Sequence, residues 1–164
     1  MNAEALRRRA FEAAAAVVDP ELPILTIADL GVLRGVAIDG QGRVEVSITP
    51  TYSGCPAMNM IAVEVQAALE HAGISDAVVR TVLSPAWTTD WMSEEGRRKL
   101  RDFGIAPPPP PGAGRGALFG RPEIACPRCG SVETEQLSAF GSTSCKSLWR
   151  CRACREPFDH FKCH

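Results

Sequence analysis

Seven cysteines and three histidines are the side chains best suited to chemistry in this 164-residue chain, and spacing sorts them into two groups. Cys126-Pro127-Arg128-Cys129 and Cys151-Arg152-Ala153-Cys154 are two CxxC pairs separated by 21 residues. Such pairs bring four thiolates to one tetrahedral ion, so Cys126, Cys129, Cys151 and Cys154 are expected to hold one structural zinc per chain. An iron–sulfur cluster is the alternative tetrathiolate ligand. About 40 residues bury too little apolar area to fold alone, and metal coordination would supply the missing free energy. Cys145, Cys163 and His164 are possible additional ligands, with burial or fraying at the C-terminus as their alternatives.

Cys55 stands apart from that group. It lies in Thr49-Pro50-Thr51-Tyr52-Ser53-Gly54-Cys55-Pro56, a loop between a strand and a helix. In Arg43 to Thr49, Val44, Val46 and Ile48 share one face, the pattern of a half-buried strand. Pro56 suits the first helical position, Met58, Ile61, Val65 and Leu69 form an apolar stripe, and Gly73 can end the helix. Cys55 is therefore expected at or next to the helix N-cap, where free backbone N–H groups and the helix dipole would lower its pKa. Thr49, Thr51, Tyr52 and Ser53 supply hydrogen-bonding side chains, and Gly54 permits close backbone approach, so the loop reads as a cradle for an ion or small anion. The alternative is a small buried thiol packed under the loop.

The elements around the loop follow the same logic. Residues 3–18 read as a helix with Leu6, Ala10, Ala14 and Val17 inward, stopped by Asp19-Pro20. A strand from Val32 to Ile38 turns at Asp39-Gly40-Gln41-Gly42 into the strand before the loop, and Ala77 to Leu83 forms a third strand. The expected fold is α+β: a two-layer helix-on-sheet domain over residues 1–106, a proline- and glycine-rich linker over 107–121, and a zinc-ribbon-like β module over 122–164. In the ribbon, Phe158, His160 and Phe161 suggest a last strand. Trp87 and Trp91 read either as a lid over the sheet edge or as partner-docking residues. Arg97-Arg98-Lys99-Leu100-Arg101 closes a short helix opened by Glu94 and Glu95, and the helix dipole explains that basic run.

Composition narrows the function. Residues 1–106 carry 10 basic and 14 acidic side chains, and residues 107–164 carry 8 and 5. Four thiolates on one divalent ion would cancel most of the C-terminal excess, so nucleic acid is not the expected partner. A protein-docking or nucleic-acid-binding ribbon without metal transfer remains the alternative function. No stretch reaches the roughly 18 apolar residues of a membrane span, and Glu12 with Asp19-Pro20-Glu21 argues against a signal peptide, so a cytoplasmic location is expected. A cysteine hydrolase would need a base beside Cys55. His71, 16 residues along the same helix, would be about 24 Å away. Asp19 or Glu21 could reach Cys55 in the fold, but they read better as a turn or as carboxylates suited to a hard cation.

Asp19-Pro20-Glu21, Asp29-Leu30-Gly31 and the Thr49–Pro56 loop resemble the MIP18 family, linked to iron–sulfur cluster assembly, over residues from about 5 to 83. The stretch from Leu83 to Leu100, with a ribbon ending Phe161-Lys162-Cys163-His164, is similar to the family of D subunits of the ring 1,2-phenylacetyl-CoA epoxidase, a bacterial multicomponent oxygenase of aerobic phenylacetate breakdown. The resemblance implies an accessory or maturation subunit with no activity alone. Its partners would be other epoxidase subunits or their reductase. Cys55 would be the residue that holds iron or an iron–sulfur cluster transiently. One thiol offers one ligand, so a second chain, the tail or a small thiol must complete the site, and a homodimer is the simplest arrangement.

Overall fold

The computed structural model describes residues 2–110 and 123–162. The chain divides into two compact units, Met1–Trp87 with Trp91–Ser93, and Thr88–Asp90 with Glu94–His164.

In the first unit, α1 (Ala3–Ala15) and α2 (Ala57–His71) accompany a three-stranded sheet of β1 (Leu33–Ile38), β2 (Val44–Ile48) and β3 (Ala77–Thr81), in the order β1-β2-β3. β1 and β2 form the expected antiparallel hairpin, and β2 runs parallel to β3 with Val44 opposite Ala77 and Ile48 opposite Thr81. Parallel neighbours need a crossover, and α2 supplies it. Val44, Val46 and Ile48 are 1% exposed or less, as are Ile61, Val65 and Leu69 of α2 and Ala10 and Ala14 of α1. These are the stripes expected from period two and period 3.6. Asn2 caps α1 by accepting from the Ala5 N–H at 2.8 Å.

α1 ends three residues earlier than expected. Val17 and Val18 leave the helix to form a bridge with Thr26, in which the Ile27 N–H donates to the Val17 carbonyl at 2.8 Å and the Asp19 N–H to the Leu25 carbonyl at 2.9 Å. Tertiary pairing thus overrides an alanine-rich helical run. The bridge buries Leu25 and Ile27 completely and leads into Thr26 and Asp29, which exchange side-chain-to-backbone hydrogen bonds. Gly31 follows at φ 73°, and a Cβ there would lie 2.6 Å from both the Cβ and the carbonyl oxygen of Trp91.

The second unit contains α3 (Glu94–Asp102), β4 (Ile105–Ala106), β5 (Thr134–Ser138), β6 (Lys146–Cys151) and β7 (Pro157–Phe161), with sheet order β4-β7-β6-β5. The predicted last strand is β7. The boundary differs from the expectation that residues up to 106 belong with the first domain. β4 adds to the ribbon sheet by pairing in parallel with β7, Ile105 opposite Asp159 and Ala106 opposite His160. The reason is burial: Ala106 joins Ile124, Cys126, Cys151 and Phe158 in the ribbon core, which the short ribbon could not fill alone. Arg97 likewise departs from the helix-dipole reading. Its side chain is 3% exposed and donates to the carbonyls of Thr89 at 2.8 Å, Pro108 at 2.6 Å and Pro109 at 3.0 Å. It clamps the start of the proline run onto α3. The expected linker from residue 111 onward lies outside the described residues, as do Cys163 and His164.

Candidate functional site

The Cys55 loop hangs from the end of β2. Thr49 is 1% exposed and its N–H donates to the Val32 carbonyl at 2.9 Å, fixing the base of the loop. Thr51 and Tyr52 are half-buried, and Ser53 and Gly54 are exposed. Gly54 adopts φ 79°, a conformation that favours glycine. The Cys55 N–H then donates to the Tyr52 carbonyl at 3.2 Å. Pro56 occupies the N-cap of α2 and offers no side-chain cap, so Cys55 lies next to the N-cap, one of the two expected positions. Cys55 is half-buried, and its sulfur takes hydrogen bonds from the Ala57 N–H and the Tyr52 side chain.

The expected lowering of the Cys55 pKa is overturned. Burial pushes the thiol up, and the carboxylates of Glu21 and Asp19 push it further, against the two hydrogen bonds. Both carboxylates arrive on the Asp19-Pro20-Glu21 turn, which the Val17–Ile27 bridge folds back toward the loop. The Asp19 carboxylate accepts from the N–H groups of Glu21 and Leu22, each at 2.8 Å, and its own pKa is raised by burial despite those bonds. One thiol with two nearby carboxylates is an environment that favours a cation, not an anion. With its pKa raised, the thiol is protonated at neutral pH. His71 sits at the far end of α2 with Nδ1 2.8 Å from the Ala67 carbonyl oxygen, so it is no base for Cys55.

Trp87, one of the two docking candidates, is 8% exposed, and its indole N–H donates to the Leu30 carbonyl at 2.8 Å. It serves the first unit's core. Trp91 is half-buried with the Arg34 guanidinium 3.5 Å from its ring centroid, and its backbone packs on Gly31. Ser93 adds a hydrogen bond to the Asp29 carboxylate at 3.0 Å. The aromatic pair thus locks the Asp29-Leu30-Gly31 turn.

In the ribbon, the four expected sulfurs converge: Cys126, Cys129, Cys151 and Cys154 have ligand atoms all within 4.8 Å of one another. Among the described residues they are the one group of three or more potential ligands so arranged. Sγ–Sγ separations are 3.8 Å for Cys126–Cys154 and 3.5 Å for Cys129–Cys151. Metal–sulfur bonds of about 2.3 Å in a tetrahedron place sulfurs about 3.8 Å apart, so the geometry fits a tetrathiolate metal centre. The Cys154 N–H, 3.5 Å from the Cys151 sulfur, helps to hold that thiol below its ordinary range, while the neighbouring sulfurs push the Cys154 thiol up. Cys145 does not join this group. It is buried, 3.0 Å from the Thr143 hydroxyl, so packing within the ribbon is its role.

The family described as iron-sulfur cluster assembly protein matches residues 7–83, and the PaaD zinc beta ribbon domain matches residues 110–162. Fold and site together define an iron–sulfur-assembly-type domain extended by a metal-binding ribbon. The chain is 49% identical over 148 residues, 90% of its length and 87% of the relative's, to an Escherichia coli (strain K12) protein provisionally placed by name among the 1,2-phenylacetyl-CoA epoxidase D subunits. It belongs to that family of D subunits. It is also 38% identical to an Fe-S protein maturation auxiliary factor of Bacillus subtilis (strain 168), over 59% of this chain and 95% of that one. A solved domain of unknown function, DUF59, from Bacillus anthracis superposes with a TM-score of 0.55 at 28% identity, covering 59% of this chain and 92% of that one. No helix among the described residues is long and apolar enough to cross a membrane.

Proposed function

We propose that this chain is an accessory subunit that assists iron or iron–sulfur cluster assembly in the oxygenase or reductase components of a multicomponent phenylacetyl-CoA epoxidase, with Cys55 as the transfer thiol. The observation that carries the reading is the half-buried Cys55 thiol beside the Asp19 and Glu21 carboxylates, in a chain whose relatives are named as an epoxidase subunit and as an Fe-S maturation factor. A thiol kept protonated at rest, and ionised by the arriving cation, suits transient holding. The carboxylates favour the loaded state, and a single thiolate leaves the other coordination positions to a partner. Handover is then ligand exchange: client thiolates replace Cys55, which recovers a proton, and no electron moves. Cys126, Cys129, Cys151 and Cys154 hold structural zinc in the ribbon.

The test is Cys55→Ser, assayed as iron and acid-labile sulfide in client components matured with wild-type or variant protein. The variant keeps its fold and zinc, and client loading falls at least tenfold. Unchanged client loading would refute the assignment.

A further inference from the structure

We propose that Arg155, with Arg150 and Arg152, forms a docking site on the ribbon for an acidic segment of a protein partner. The two CxxC knuckles are equivalent turns, and the residue after each second cysteine takes a left-handed conformation: Gly130 at φ 78° and Arg155 at φ 65°. Glycine adopts that conformation freely, whereas a residue with a Cβ does not. Arg155 is the one non-glycine residue with positive φ among those described. An arginine kept where the sister knuckle uses glycine indicates that its side chain is needed for something other than the turn.

The surroundings say what. Arg155, Arg150 and Arg152 line a concavity of about 530 Å³ together with Glu135 and Cys151. All three arginines are exposed. Arg150 and Arg152 share the single carboxylate of Glu135, and Arg155 has no hydrogen bond or ion pair among the described residues. Glu135 engages Arg150 and Arg152, so among the described residues the Arg155 fork is left without a carboxylate, and guanidinium forks match carboxylates in bidentate pairs. A polyanion such as nucleic acid fits less well, because residues 123–162 carry six basic and five acidic side chains and four thiolates on a divalent ion add about −2, which leaves no positive excess for a phosphate backbone. The complementary occupant is a segment bearing two or more Asp or Glu side chains.

The inference rests on the proposed function only in making the partner a client component. The probe is a fluorescein-labelled peptide of alternating Glu and Gly, titrated by anisotropy into the full metal-loaded chain. We expect saturable, salt-sensitive binding that R155G weakens at least fivefold, with metal content unchanged and a thermal unfolding midpoint equal to or above that of the wild type. R155K keeps part of the affinity. Unchanged affinity in R155G, a lowered midpoint, or tighter binding of an oligothymidylate than of the peptide would each overturn the proposal. In client loading, a docking defect in R155G is rescued by raising the client concentration, whereas the loss in Cys55→Ser is not, so the two proposals fail separately.

Discussion

Gly31→Ala probes the turn that underlies the Cys55 loop. At φ 73° the left-handed conformation costs an alanine about 1–2 kcal/mol. Its Cβ would also lie 2.6 Å from the Trp91 carbonyl oxygen and 2.9 Å from the carbonyl carbon, so backbone must move. Overpacking of that kind adds about 1–3 kcal/mol, giving a total near 3 kcal/mol. With a urea m-value of about 2 kcal/mol/M, the unfolding midpoint of the first unit falls by about 1.5 M. Trp87 and Trp91 report that transition by fluorescence, and replacing Trp149 by Phe removes the ribbon's signal. The displacement also reaches the Cys55 loop, because Val32 next to Gly31 holds Thr49 through its carbonyl. Cys55 in Gly31→Ala should therefore alkylate faster than in the wild type. A midpoint shift below about 0.3 M would show that Trp91 can retreat at little cost, and the reasoning from steric contact would fail.

Three further outcomes follow from the same structure. Glu21→Gln removes a carboxylate that raises the Cys55 pKa, so the pH profile of Cys55 alkylation should move to lower pH; no movement, or movement upward, would contradict the placement of that charge. His160 is buried with its pKa lowered by desolvation, so the unfolded state binds more protons below its ordinary pKa of about 6.5. The second unit should then lose stability as pH falls from about 6.5 through the folded pKa, and His160→Gln, compared at equal metal content, should flatten that loss; equal slopes would refute it. Cys126→Ser should abolish stoichiometric metal binding and unfold the ribbon sheet, as read by metal analysis and amide exchange in β5 to β7, and retained metal would remove Cys126 from the ligand set.

Local pattern was enough for much of this protein. The alternation of Val44, Val46 and Ile48, the stripe of Ile61, Val65 and Leu69, and the glycine after α2 specify their elements because each depends on neighbours a few residues away. The two CxxC pairs marked the cysteines that converge for the same reason, since each knuckle is a local turn. What sequence could not decide was anything set by residues distant along the chain. Cys55 carried the local signature of a lowered pKa. The sign reversed because Asp19 and Glu21, more than thirty positions earlier, are folded back beside it while burial removes water. Arg97 looked like a base at a helix end, yet it is buried against carbonyls of Thr89 and of the proline run. β4 is too short to be seen in sequence and exists because β7 offers an edge and the ribbon core needs Ala106. Short-range spacing determined the elements and the four-cysteine cluster; tertiary packing, through desolvation and long-range charge, decided how the thiol behaves and where one unit ends and the other begins.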